Sequence, residues 1–315
     1  MLATIFTLIL FWLNVFFIDQ VNALQKTISV PSLTFVGQFD NRETGNGGFG
    51  GPFGIHVSSN NQLYIADDLH HAIMIFDSGG TFLRQLGGRV GSTPGEFAYL
   101  DCVITDTKGS LYVADTGNNR LQVLSPQGSF VSQVRHWGIL GQGLRNPRDL
   151  SFDRHGRLFV ADWGNHCVRI FGPDLKYLGK IGGKGKKHGE FLNPVILAHG
   201  PNDNLYVSDF KNHRVQVFDP VGNHLFSIGA QGEKPGHFRN PTGLAFDSKG
   251  RLFVADYGNN RIQFFSNKGV FLGDYGQYGK DPGTFARPAD IDIDGTDRLY
   301  VVDSGNHRIQ IFEVE

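Results

Sequence analysis

The stretch LFVADYGNNRIQFF, Leu252 to Phe265, decides the fold because the chain writes it six times over. LYVADTGNNRLQVL begins at Leu111, LFVADWGNHCVRIF at Leu158, LYVSDFKNHRVQVF at Leu205 and LYVVDSGNHRIQIF at Leu299. A worn copy, LYIADDLHHAIMIF, begins at Leu63. The leading leucines are 48 residues apart once and 47 apart four times, a period in the range of propeller blades. Helical repeats would carry apolar residues at 3.6-residue spacing. These units instead show short β-branched and aromatic runs broken by Gly, Asn and Asp, as strands and tight turns do.

The unit around Leu252 parses into four strands: GLAFD (243–247), RLFVAD (251–256), RIQFFS (261–266) and VFLGDYG (270–276), with SKG, YGNN and NKG as turns. Four antiparallel strands in one period make a blade, and no blade buries both its faces alone, so neighbours must stack around an axis. The expected fold is all-β, a six-bladed β-propeller with repeats at about 37–79, 84–127, 134–174, 180–221, 228–268 and 274–315. The sixth copy stops at Glu315 without a fourth strand, while LTFVGQF, Leu33 to Phe39, resembles the fourth strands GTFLRQLG and GVFLGDYG. It is predicted to pair with Ile309–Phe312 and close the ring, removing two open sheet edges.

The amino terminus is apolar from Leu2 to Ile18 and offers Val-Asn-Ala before Leu24, the small-residue form of a signal-peptidase site. Residues 1–23 read as a cleaved signal peptide, with an uncleaved anchor as the alternative, 24–32 as a linker and 33–315 as the propeller. Secretion is the expected localisation, with no membrane binding beyond the leader. There are 29 basic and 30 acidic residues, and Asp19 lies in the leader, so the mature chain is near neutral and lacks the broad basic footprint of a nucleic-acid binder. Two cysteines, Cys102 on an inner strand and Cys167 at a loop, cannot build multi-cysteine zinc modules. They are expected to be unpaired small apolar residues.

The repeat resembles the NHL family, named for an Asn-His-Leu-like tripeptide. Here it reads Asn-His-Arg at 212–214 and 306–308, Asn-Asn-Arg at 118–120 and 259–261, and Asn-His-Cys at 165–167, with blade one departing as His70-His71-Ala72. The resemblance implies a six-bladed propeller like the carboxy-terminal domain of TRIM-NHL ubiquitin ligases, whose propellers bind RNA or protein. The RING, B-box and coiled-coil segments of those ligases have no counterpart here, so no ligase activity carries over.

Six aspartates, Asp67, Asp115, Asp162, Asp209, Asp256 and Asp303, end the second strands, and a staple repeated six times is scaffold rather than a catalytic site. Such a carboxylate can hydrogen-bond nearby backbone, and Arg261 is placed to pair with it. Function is expected where the copies differ. The residue after the aspartate is Asp68, Thr116, Trp163, Phe210, Tyr257 or Ser304, aromatic in blades three to five. Loops of that sector carry Arg145, Arg148, Lys184, Lys186, Lys187 and Arg239, and aromatics beside cations stack on planar groups and hold anions. The expectation is a non-catalytic scaffold with a recognition face for a protein, peptide or acidic glycan, and for RNA only if the chain is not secreted.

The alternatives are a channel-metal enzyme, lactonase-like with calcium or amidating-lyase-like with zinc, and an intracellular TRIM-NHL relative serving RNA or the ubiquitin pathway. His71 falls at a plausible zinc position, yet the entries NPTG, RPAD and NPRD lack the Pro-His pairs that such a lyase resemblance calls for. DIDIDG, Asp290 to Gly295, has the look of an EF-hand opening, but its twelfth position is Val301 rather than Glu. Asp290 and Asp292 alternate to one side of an inner strand and remain weak metal candidates, near Asp149 and His56 across the channel. No cofactor is otherwise expected.

Overall fold

The computed structural model describes residues 30–42, 47–137 and 142–315; the expected leader, 1–23, lies outside the described residues. Blade five displays the pattern. Leu244–Phe246, Leu252–Asp256, Arg261–Phe265 and Phe271–Tyr275 pair in that order, with Leu252 opposite Phe265 and Asp256 opposite Arg261. All six blades are four-stranded antiparallel sheets. Their second strands are apolar on both faces because both faces meet other blades, and all five residues of Leu252–Asp256 are buried.

The first strands pack side by side around the axis and wall a central channel: Pro52–Val57, Leu100–Thr105, Pro147–Phe152, Pro194–His199, Leu244–Phe246 and Pro288–Ile293. DIDIDG is therefore a channel strand and its turn. Fully buried Phe97, Phe191, Phe238 and Phe285 sit at the head of blades two, four, five and six, with Leu144 in the same place in blade three. Gly182 shows how tightly they fit. It holds φ +81°, and a Cβ there would lie 2.4 Å from the Phe191 ring, so only glycine serves.

The ring closes as the sequence predicts. Leu33–Phe39 is the outermost strand of blade six, with Phe39 opposite Ile309 and Phe35 opposite Phe312. The sheets are phased differently from the repeat units of the sequence. The sheet of blade one runs from Pro52 to Gly87, so its fourth strand straddles the head of the unit placed at 84–127. Cys102 lies on the first strand of blade two. Cys167 is not in a loop; it opens the third strand of blade three, opposite Asp162. Both thiols are free and buried.

Candidate functional site

The repeated aspartate is the hub of a buried staple. Asp115 accepts from the Ala98 amide at 2.9 Å, from Asn118 Nδ2, from Arg120 Nε at 2.6 Å and from Gln122 Nε2 at 3.0 Å. Arg120, 1% exposed, directs its remaining donors to Ser92, Thr93 and Glu96 carbonyls and to Gln133 Oε1. This ties the turn to the preceding loop. The expected Arg261–Asp256 pair forms at 2.9 Å. Blade three has Cys167 where blades two, four, five and six have arginine, and Arg169, two residues on, supplies the guanidinium instead, with Nε 2.9 Å from Asp162 Oδ2.

The residue just before that arginine position latches blades one to five each to its successor. His71, Asn119, His166, His213 and Asn260 all sit in the left-handed region. Their side chains accept from the backbone amides of Tyr99, Asn146, Asn193, Asn240 and Arg287 at 2.8–3.1 Å. Asn and His fit because each offers an acceptor, and Asn tolerates positive φ. His71 is thus a latch packed edge-on against Tyr99 at 5.1 Å. At the seam between blades six and one, Gly50 and Gly51 give their amides to Asp67, and no such latch forms among the described residues.

The position after the staple opens on the mouth of the channel. Trp163, Phe210 and Tyr257 are each half-buried there, with Phe210 and Tyr257 meeting edge-on at 6.3 Å. Cationic side chains lie close by. The stems of Arg145 and Arg239 lie over Gly164 and Gly258, where a Cβ would sit 2.5 and 2.6 Å from Cγ, while Lys211 Nζ stands 5.0 Å over the Phe210 ring. Arg148 lies at the centre, its guanidinium 5.4 Å from both the Phe53 and Trp163 rings and 3.0 Å from Asp101 Oδ2. Burial pushes the Asp101 carboxyl up to about 6, against the pull of Arg148. Lys184, Lys186 and Lys187 are exposed farther along the same sector; Lys184 and Arg145 add to the burial that lowers the His166 pKa.

Below the mouth the channel widens into a cavity of about 370 Å³ lined by Asp149, Asp290, Asp292, His56, Ser151 and His199, among others. Asp290 and Asp292 do share it with Asp149 and His56, as their spacing predicts. The carboxylates are engaged with backbone: Asp149 accepts from Leu197 N at 2.7 Å, Asp290 from Ile55 N at 3.0 Å and Asp292 from Val57 N at 2.7 Å. Burial raises all three pKa values, Asp149 to about 6, Asp292 to about 7 and Asp290 well above the usual range. Among the described residues no group of three or more His, Cys, Asp or Glu side chains is placed to hold a metal ion. Two hydroxyl–imidazole pairs bridge blades, His56 Nε2 to Thr105 Oγ1 and Ser151 Oγ to His199 Nδ1, each at 2.9 Å. They occupy the same two positions with the partners exchanged, as inter-blade clasps would. Burial lowers the His56 pKa to about 4 and also lowers that of His199, so both rings are neutral.

The NHL repeat model matches residues 144–171, 191–218, 238–265 and 285–312. The chain is an NHL-repeat propeller. A second model, described as a 6-bladed beta-propeller, matches 53–136, covering the worn first copy. No curated protein matches the sequence. Among solved structures, a catalytically inactive virginiamycin B lyase from Staphylococcus aureus with quinupristin is similar at 15% identity and TM-score 0.61, over 90% of this chain and 88% of that one. An auxiliary nutrient binding protein from Bacteroides ovatus is similar at 13% and 0.63, over 91% and 78%. At these identities the likeness concerns the fold.

Two residues of this NHL propeller's mouth escaped sequence reasoning. Phe53 and Asp101 occupy the place after the first-strand proline or its equivalent, where other blades carry Arg148, Val195, Thr242 and Ala289. That column varies as strongly as the aromatic one, and its variation was the available signal. Lys211, standing where four other copies have glycine, was a second.

Proposed function

We propose that this propeller is a non-catalytic recognition scaffold whose ligand face is the channel mouth and the adjoining inter-blade loops of blades three to five. One observation carries the reading: three half-buried aromatics line the mouth, with Arg148 held between the Phe53 and Trp163 rings and Lys211 over the Phe210 ring. Flat, partly desolvated aromatics with arginine among them are the composition of interaction hot spots. The ligand is a protein or peptide, met outside the cell if residues 1–23 are removed as a signal peptide. Recovery of the protein from culture medium with Leu24 first tests the compartment. Replacing Trp163, Phe210 and Tyr257 by alanine together should abolish capture of an isolated partner while leaving the melting transition in place. Undiminished capture would refute the site.

A second reading, a channel hydrolase or lyase, draws support from Ser151 and His199, a hydroxyl and a neutral imidazole 2.9 Å apart on a cavity wall. The exchanged pair His56–Thr105 favours a clasp instead. Covalent labelling of Ser151 by a fluorophosphonate, lost in Ser151→Ala, would establish the enzyme reading.

A further inference from the structure

On the same face a groove of about 510 Å³ runs between blades five and six, lined by Arg239, Tyr257, Asn260, Tyr278 and Arg287 together with small residues. No Asp or Glu is among its lining residues. Arg239 and Arg287 are exposed, and neither guanidinium has a hydrogen-bond or ion-pair partner among the described residues. Arg120, Arg214, Arg261 and Arg308, by contrast, are tied into staples. Tyr278 bridges Phe285 through its backbone, as Val90, Lys184 and Gln231 bridge their phenylalanines in other blades, and it is 74% exposed on the groove wall.

Arg287 also departs from the commonest residue of this position, as Tyr99 of blade two does. Blades three, four and five place Asn146, Asn193 and Asn240 at this left-handed position, where asparagine is best tolerated. Asn193 and Asn240 add a second latch bond, from Nδ2 to the Trp163 and Phe210 carbonyls at 3.1 and 3.0 Å. Arg287 holds φ 55°, keeps only the backbone latch to Asn260 at 2.9 Å, and presents its charge to solvent. A local departure that weakens the scaffold without a structural return marks a place where function is expected.

We propose that this groove binds an acidic peptide segment, its carboxylates paired with Arg239 and Arg287 and its intervening side chains lying on Tyr257 and Tyr278. Guanidinium forks match planar carboxylates in two-point contacts. The short groove with two arginines suits a few residues of peptide, whereas a sulfated glycan would call for a longer basic track. The inference rests on the recognition reading above and names the partner's chemistry for it; Tyr257 belongs to both the mouth and the groove.

The test uses the full chain and a fluorescein-labelled octa-glutamate peptide, followed by anisotropy at low and at physiological salt. Saturable one-to-one binding is expected, weakened about tenfold or more by Arg287→Asn, the residue the scaffold itself prefers, and by Arg239→Gln. Both variants should keep the wild-type melting temperature. Lys108→Ala with Lys249→Ala, in turns between first and second strands on the other side of the ring, should leave binding unchanged. Equal binding by Arg287→Asn, loss only in the lysine variant, or binding of a heparin oligosaccharide but not the peptide would each overturn the proposal. If the peptide fails to bind but the triple aromatic variant still loses its partner, the groove assignment falls and the recognition reading stands. If that variant keeps its partner, the recognition reading falls as well.

Discussion

Asp292→Asn should change how the propeller responds to pH more than it changes the fold. The wild-type carboxyl is buried in the channel wall, accepts from Val57 N at 2.7 Å and from its own neighbour Ile293 N, and is pushed by burial up to about 7. In the unfolded chain it ionises near its ordinary value of 3.8. The folded value is the higher one, so this group's stabilisation is fully present below the unfolded value and is lost as pH rises through 7. Between pH 6 and 8 the native state loses about one proton-equivalent of this difference on a log scale, or about 1.4 kcal/mol. For a chain of this size that is roughly 3 °C in Tm. Asparagine keeps a carbonyl oxygen for Val57 N and removes the titration. Melting curves of wild type and Asp292→Asn at pH 6, 7 and 8 should therefore diverge, the variant losing about 3 °C less over the interval. Asp149 and Asp290, raised for the same reason, leave the variant with a residual slope of the same sign. His56, lowered to about 4, contributes oppositely only below about pH 6.5, as its stabilisation is lost while pH falls toward 4. A wild type that grows more stable from pH 6 to 8, or a variant with an unaltered slope, would refute the assignment of a protonated channel carboxyl.

Three further outcomes follow from the scaffold. Arg261→Ala leaves Asp256 buried and short of its cation, which should cost about 3–5 kcal/mol, read by urea unfolding; a loss under 1 kcal/mol would make the staple dispensable. His213→Asn should keep the latch to Asn240 N and melt within a degree or two of wild type, whereas His213→Ala orphans that amide at a left-handed position and should cost roughly 2 kcal/mol or more. Removing residues up to Phe39 exposes the edge of Arg308–Val314 and should yield aggregated protein; a soluble truncation with one cooperative transition would contradict the closing role of that strand.

The fold was legible because each blade repeats one set of physical demands: the apolar second strand of Leu252–Asp256, the stapling Asp256 and Arg261, the acceptor at Asn260. Six copies in register remove the ambiguity that a single strand pattern would have. The pairing of Leu33–Phe39 with the last strand was legible because a missing element at one end had a match at the other. The mouth was legible only in part. Trp163, Phe210 and Tyr257 stood out against the repeat, but the Arg148–Asp101 pair and the Phe53 stack join residues from blades one, two and three. Such contacts depend on where the ring brings its copies together, a distance no spacing along the chain encodes. Lys184, Lys186 and Lys187 read as part of the aromatic patch because they share its sector; in space the cations that stand over the rings are Arg148, on Trp163, and Lys211, on Phe210. Arg287 was passed over because a single arginine in a loop looks unremarkable until its backbone conformation is known.

The closing strand of blade six carries a mechanical consequence. Leu33 stands opposite Val314 and Phe39 opposite Ile309, so the two chain ends leave the ring side by side at one edge of the same sheet. Tension applied between them would load the closing hydrogen bonds one pair at a time, as a zipper opens, rather than all together in shear. A propeller held by one end and pulled by the other would open inside blade six first, at low force, with the five inter-blade latches still in place.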